Sequence, residues 1–209
     1  MRVEISAWTA SFRHPAFMIG YQPTLSIPPL STIFGLISAA AGKPITPKDT
    51  PLGFIFTSEA IGVDLERIYK SGDSDRGTPF VLKREFLFNP KLTIYVDPKL
   101  KRAFQQPRYP LVLGRSTDLA TINEINIIEV MEKEKVLMGP SIYTYPPRGC
   151  DNAFICALPV YFNTNIPRVA VGSRKFFLIK EPFHSTEKVW FDEEKGVGFP
   201  LYTKESLGV

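Results

Sequence analysis

The chain has 209 residues, 44% of them hydrophobic and 22% charged, with a formal net charge of +4. That is enough for one large domain, or a medium one with an extension, and the balance is that of a globular protein rather than a disordered one. No uncharged apolar run reaches the roughly 18 residues of a membrane span, so no integral membrane helix is expected.

Residues 2–9 alternate, with Val3, Ile5 and Ala7 on one side and Arg2, Glu4, Ser6 and Trp8 on the other, as in a half-buried strand. This start, with charges inside the alternation, is unlike a signal peptide. The two cysteines, Cys150 and Cys156, are therefore expected as free thiols in a cytoplasmic protein. With only His14 and His184 beside them, they do not make the four-ligand set of a structural zinc site. No cofactor is expected. Residues 10–27 are irregular and carry Arg13, His14, Phe17 and Tyr21, as packed lids or as ligand contacts.

Residues 22–42 organise the rest. Pro28 and Pro29 suit a helix start, because their missing N–H groups are no loss there. Leu30, Ile33, Phe34 and Ile37 form one apolar stripe, Ser31, Gly35, Ser38 and Ala39 leave a small-residue side, and Gly42 is placed to stop the helix. Unsatisfied N–H groups with Ser31 and Thr32 at the helix start favour an anion; ordinary capping of a helix lying on a sheet is the plainer alternative.

Leu52 to Tyr69 reads as one strand running outward, and Phe80 to Leu87 returns, with a polar Ser-Gly-Asp-Ser-Asp-Arg-Gly turn between. Asp73 and Asp75 read as solvated loop rather than a metal site. The excursion is expected as a projecting hairpin over about 64–82. A turn at Phe88-Asn89-Pro90-Lys91 precedes a strand at Leu92–Val96. Asp97 then N-caps a short helix begun by Pro98, with Leu100, Ala103 and Phe104 inward, and Pro107 ends it. Tyr109 to Leu119 is an anchored loop, and Ile122–Val130 a further strand. Strand, helix, strand, strand, helix, strand is the βαββαβ order of ferredoxin-like domains, RNA-binding modules among them. Glu132-Lys133-Glu134-Lys135 marks a composition shift. The expected division is thus a ferredoxin-like domain at 1–131 and a β-rich extension at 132–209, with strands at Phe154–Val160, Val169–Ile179 and Val189–Phe191. The class is α+β.

The charge is uneven. Residues 1–120 hold 15 basic and 10 acidic residues, residues 121–209 hold 10 and 11. A basic first half favours a phosphate-rich partner, against the alternative of a solvated face.

Three segments carry a resemblance: Thr24-Leu25-Ser26-Ile27-Pro28-Pro29-Leu30-Ser31-Thr32-Ile33-Phe34-Gly35-Leu36; Arg84-Glu85-Phe86-Leu87 with Ile94-Tyr95; and Tyr109-Pro110-Leu111-Val112-Leu113-Gly114-Arg115-Ser116. Over residues 1 to about 130 the chain resembles Cas family five, a branch of the RAMP superfamily in type I CRISPR effector complexes, of I-A/I-B-like kind. The resemblance implies a RAMP-type ferredoxin-like domain with a β-hairpin thumb that holds the 5′ handle of the CRISPR RNA in antiviral defence. It implies contacts with the backbone subunit of family seven and the large subunit of family eight. In most subtypes such subunits cut nothing; in one, the homologue is a metal-independent endoribonuclease that processes precursor guide RNA.

A grip on single-stranded RNA needs cations and N–H groups for phosphates and flat side chains for bases. The candidates are Ser31 and Thr32 at the helix start; Lys83, Arg84 and Arg115 as backbone cations; Arg67, Tyr69, Lys70 and Arg76 on the thumb; and Arg13 and His14 on the same surface. Arg115 serves equally well as a cap on a neighbouring element. Metal-free cleavage needs a general base and a stabiliser of the pentavalent phosphate. No Lys-His dipeptide, paired-carboxylate motif or nucleophile elbow is present, so a non-catalytic RNA-binding subunit is expected, with the processing ribonuclease as the alternative.

Overall fold

The computed structural model describes residues 1–15, 20–69 and 79–209, leaving the side chains of 68, 69, 79 and 80 outside the description. The alternation at the N-terminus forms β1 (Arg2–Ala7), followed by the short β2 (Thr9–Ala10) and β3 (Tyr21–Gln22). The proline pair leads into α1 (Leu30–Ala41), and Gly42 ends it with φ +69°, where a side chain would be strained. Then come β4 (Leu52–Thr57), β5 (Ala60–Tyr69), β6 (Pro79–Phe88) and β7 (Lys91–Val96). Asp97 accepts from Lys99 N at 2.9 Å and starts a 3-10 turn that becomes α2 (Lys101–Gln105). β8 (Ala120–Asn126) completes the first half.

The expected strand from Leu52 to Tyr69 is two strands in two sheets. The cause lies on the partner chain segment. Asn89 takes φ +48° and Pro90 follows, so β6 stops at Phe88 and β7 starts at Lys91. β4 pairs with β7 as far as Thr57↔Lys91, and β5 picks up β6 from Ala60↔Phe88. In the same way β8 ends at Asn126, short of the expected Val130, because its partner β1 begins at Arg2.

β8, β1, β7 and β4 stand side by side in that order, all antiparallel. One face of this sheet receives α1 through Leu30, Ile33, Phe34, Leu36, Ile37 and Ala40, all buried. Val3, Ile5, Phe54, Phe56, Leu92, Ile94 and Phe104 share that core. Burial of this apolar set is the main favourable term in holding helix to sheet.

The second half is strand-rich: β9 (Met131–Lys133), β10 (Val136–Met138), β11 (Ser141–Tyr143), β12 (Phe154–Leu158), β13 (Tyr161–Phe162), β14 (Ala170–Val171), β15 (Arg174–Ile179), β16 (Phe183–Ser185), β17 (Val189–Asp192), β18 (Val197–Phe199), β19 (Leu201–Tyr202) and a last turn of helix, α3 (Lys204–Leu207). The expected strand Val169–Ile179 breaks at Gly172, φ +67°, where a Cβ would lie 2.5 Å from Val209 Cγ1. The one expected at Phe154–Val160 stops at Leu158, whose partner Arg174 is the first residue of β15.

β16, β10, β18, β17 and β9 form a sheet over the opposite face of the first one. There Tyr95 stacks on Phe199 at 3.7 Å between ring centres, and Ile55 joins them. β11, β15 and β12 form a third sheet, and β13 and β14 a small hairpin. β19 adds to β4 at the edge of the first sheet, and Ile142, Leu158, Phe176, Leu178, Tyr202 and Leu207 belong to the same core as α1. The protein is therefore α+β, with far more strand than helix. Among the described residues no helix is long and apolar enough to cross a membrane.

Candidate nucleic-acid interface

β5 and β6 pair over ten positions, from Ala60↔Phe88 to Tyr69↔Pro79. Directly opposed residues share a face. One face thus carries Ile61, Val63, Leu65 and Arg67 across from Leu87, Glu85, Lys83 and Val81. Ile61, Val63, Leu65, Arg67, Lys83 and Val81 are all exposed. The inner edge of β6 is stitched to the body: Thr9↔Phe88 and Ala10↔Leu87 in β2, then Gln22↔Arg84 and Tyr21↔Lys83 in the parallel β3. Beyond Lys83 the two strands pair only with each other among the described residues.

The base of this hairpin is held by charge on its other face. Arg84 Nε donates to Glu66 Oε2 at 2.8 Å. Arg115 Nη1 donates to the other oxygen of the same carboxylate at 3.0 Å. Arg115 also grips Asp118 with Nε and Nη2, each at 3.0 Å, in the two-pronged geometry that gives such pairs their directionality. Asp118 is buried, and it accepts as well from Thr9 Oγ1 at 2.6 Å and from its own loop through Arg115 N at 3.0 Å. The hydrogen bonds to Asp118, and then Glu66, raise the Arg115 pKa above its ordinary value against the opposing effect of burial. Two guanidiniums here meet the carboxylates of Glu66 and Asp118, with Asp64 Oδ2 a further 4.0 Å from Arg115 Nη1, so the cluster offers a phosphate less net charge than the two arginines suggest in sequence. The Arg115 guanidinium also lies 5.9 Å from the Phe86 ring centre, and that ring covers Gly62.

Glu85 fastens the other face. Its carboxylate takes the Tyr21 hydroxyl and Thr24 N, the latter at 3.0 Å, and its carbonyl accepts from Ser11 Oγ at 2.9 Å. The hydrogen bond to Glu85 raises the Tyr21 pKa. Gln22, opposite Arg84, is buried and its Oε1 takes no donor among the described residues.

At the start of α1, Pro29 occupies the cap position without a side-chain cap. Pro28 and Pro29 are buried, whereas Ser31 and Thr32 are half-buried. Thr32 N and Ile33 N both turn back to Pro29 O, at 3.0 and 3.3 Å. The first turn holds no acidic residue to repel an anion.

The remaining candidates are dispersed. Arg13 is exposed in an isolated bridge with Thr24. His14 is half-buried, with its amide on Pro23 O at 3.4 Å and its ring edge-on to Phe154 at 5.7 Å. His184 lies exposed on β16. Arg67 and Lys83 share the outer face of the hairpin. The Tyr69 side chain, and Phe17, Lys70, Asp73, Asp75 and Arg76 entirely, lie outside the described residues. Among the described residues no group of three or more His, Cys, Asp or Glu is placed to hold a metal ion.

Sequence reasoning missed the carboxylates. Asp118 stands three residues after Arg115, a visible spacing, but Glu66 reaches both arginines only through the register of β5 on β6. Trp8, which the alternation places on the polar side of the first strand, is 81% exposed just past the end of β1.

No family model matches the chain, and no curated protein matches its sequence. Its fold is similar to a chain of a CRISPR RNA-guided surveillance complex, at 18% identity and TM-score 0.56, over 88% of this chain and 90% of that one. It is also similar to a chain of the type III-B Cmr-beta complex bound to cognate target RNA and AMPPnP, at 12% identity and TM-score 0.52, over 88% and 86%. A CRISPR protein from Archaeoglobus fulgidus matches at 11% identity and TM-score 0.52, over 97% and 98%. At these identities the likeness is one of fold.

Proposed function

We propose that this chain is an RNA-binding subunit of a type I CRISPR surveillance complex, of the Cas family five branch. It holds the 5′ handle of the guide RNA without cutting it and sits between the family-seven backbone and the family-eight large subunit. In this reading β1, α1, β4, β7, α2 and β8 are a ferredoxin-like unit of the RAMP kind, and the β5–β6 hairpin is its thumb. The observation that carries the proposal is the place of that hairpin. It is inserted in the chain between β4 and β7, which are neighbours in a sheet ordered β8–β1–β7–β4, with β2 and β3 bracing its base. A fold shared with a chain of an RNA-guided complex supports the same reading.

The non-catalytic part rests on the two histidines. His14 has its ring against Phe154, and His184 lies on a different sheet. A metal-free ribonuclease would need a base and a phosphate stabiliser converging on one point.

The test is labelled precursor guide RNA incubated with the protein in EDTA over a series of salt concentrations. Binding with a steep salt dependence and intact RNA is the expected result. A single cut at the handle boundary, abolished by His14→Ala, would transfer the assignment to the processing ribonuclease. A flat salt dependence, or no binding, would remove RNA from the account.

A further inference from the structure

Away from the hairpin, a groove of about 760 Å³ runs between the small-residue side of α1 and the β13–β14 hairpin. Ser31, Gly35, Ser38 and Ala39 line its floor, and Tyr161, Phe162 and the loop to Arg168 line its far wall. Nothing stands within 4 Å of where a Cβ on Gly35 would be, so the floor is open. At Gly42 the groove meets a second hollow, lined by Ala40, Ala41, Arg102, Gln106, Pro107 and Arg108.

The charge of this path is one-sided. The chain has 21 acidic residues, yet none lines either hollow, while Lys43, Arg168, Arg102 and Arg108 all do. All four cations are exposed, and none is held by a carboxylate among the described residues. Contrast Arg84 and Arg115, which are neutralised in place. The end of α1 would ordinarily repel an anion, since its last carbonyls carry partial negative charge. Here Arg108 N donates to Ala40 O at 3.0 Å and Tyr109 N to Ala39 O at 3.2 Å, so those carbonyls are occupied. The Arg108 side chain lies against Gly42, and a Cβ there would come within 2.7 Å of its Cγ. Beside the cations, Tyr109 and Phe162 are each about half exposed, at 55% and 47%. Their rings gain nothing from a purely ionic partner.

We infer that this path along α1, from Ser31 past Lys43 and Gly42 to Arg102, is a second track for single-stranded RNA, separate from the hairpin. The cations take phosphates, and Tyr109 and Phe162 serve as platforms for splayed bases. Cations held by no carboxylate, beside accessible rings, one of which (Tyr109) has the Arg108 guanidinium 5.9 Å from its centre, match the chemistry of a flexible polyanion with flat faces, which is single-stranded nucleic acid. An acidic peptide would satisfy the cations and leave both rings in water. The inference rests on the proposed function in one respect, that RNA is the polyanion.

The experiment uses the whole chain and a CRISPR-repeat RNA carrying 4-thiouridine, crosslinked by light, with the linked peptides identified by mass spectrometry. The track predicts crosslinks to peptides bearing Tyr109 and Phe162 in addition to any on 60–88. Lys43→Glu with Arg168→Glu, two exposed positions, is expected to keep the folded circular-dichroism spectrum. It should weaken binding at least tenfold and lower the salt slope by about 1.4, the share of two phosphates on a single strand. RNA bound and crosslinked only on the hairpin would overturn the track and leave the proposed function standing. No RNA bound would overturn both. Oligo-glutamate competing as well as RNA would reassign the path to an acidic peptide and overturn the inference.

Discussion

Arg2 and Asp192 illustrate at the scale of single residues how the two halves of the chain are locked. Both are buried, at 5% and 1% exposed, and Arg2 Nη1 donates to Asp192 Oδ2 at 2.9 Å. Tyr95 OH donates to the same oxygen at 3.0 Å, and Lys195 N to Oδ1 at 3.2 Å. Burial pushes the Asp192 carboxyl up, but the hydrogen bonds from Arg2, Lys195 N and Tyr95 outweigh it and hold the pKa below the ordinary value. A depressed carboxylate stabilises the fold fully above its unfolded pKa of about 3.9, and that contribution is lost as pH falls through the lower folded value. Acid should therefore weaken the protein below about pH 4. Asp192→Asn leaves the buried guanidinium with less compensation, for a loss of about 3 kcal/mol at neutral pH. The variant's urea midpoint should also fall less than that of the unaltered protein between neutral pH and pH 3. Parallel curves would contradict this account of the pair. Arg2 was legible in the sequence only as a polar position of β1, because its partner lies 190 residues away.

The hairpin is the element on which the functional reading turns, and Asp118 is its anchor. This buried carboxylate joins β2 through Thr9 to the Arg115 loop, and Arg115 passes the connection on to Glu66 in β5. Asp118→Ala leaves the Arg115 guanidinium half-compensated, and removing one partner of such a pair costs roughly 3 kcal/mol. Hydrogen exchange should rise in 60–67 and 81–88 more than in β1 or β7. A uniform rise across the first sheet would mean that Asp118 supports the whole body and not the hairpin in particular. At this scale much was readable: the proline pair and Gly42 bracket α1, its stripe is the buried one, and Asp97 with Pro98 marks the short helix. The split of β4 from β5 was not readable, since no glycine or proline marks the break at Ser58–Glu59. The interruption is the Asn89–Pro90 turn on the opposing strand. Arg84 looked like a free cation for the same reason, its partner Glu66 being set by pairing register rather than by neighbours in sequence, whereas Arg115, read equally as a cation or a cap, finds Asp118 three residues on and Glu66 through that register.

For the whole molecule, the second half completes the first. β19 pairs with β4, β17 supplies Asp192 to Arg2, and Phe176, Leu178, Tyr202 and Leu207 sit in the core that buries α1. A chain ending at residue 131 should expose that core, whereas the full chain should melt in one cooperative transition. A soluble 1–131 fragment with dispersed amide resonances would show that the first half stands alone. The strand-rich character of 132–209 could be read from composition. Its layering could not, because pairs such as β10 with the parallel β18 join segments about 60 residues apart, too far for any local pattern to register.

The central claim is that this chain grips the leading end of a guide strand and leaves it whole. Its most direct measurement is co-purification of the full chain with family-seven and family-eight effector subunits, followed by sequencing of the retained RNA. The account predicts CRISPR RNAs that share one intact 5′ handle, and their loss when Arg67 and Lys83 are both changed to Glu. A complex that forms with the handle absent, or RNA of random sequence in its place, would contradict it.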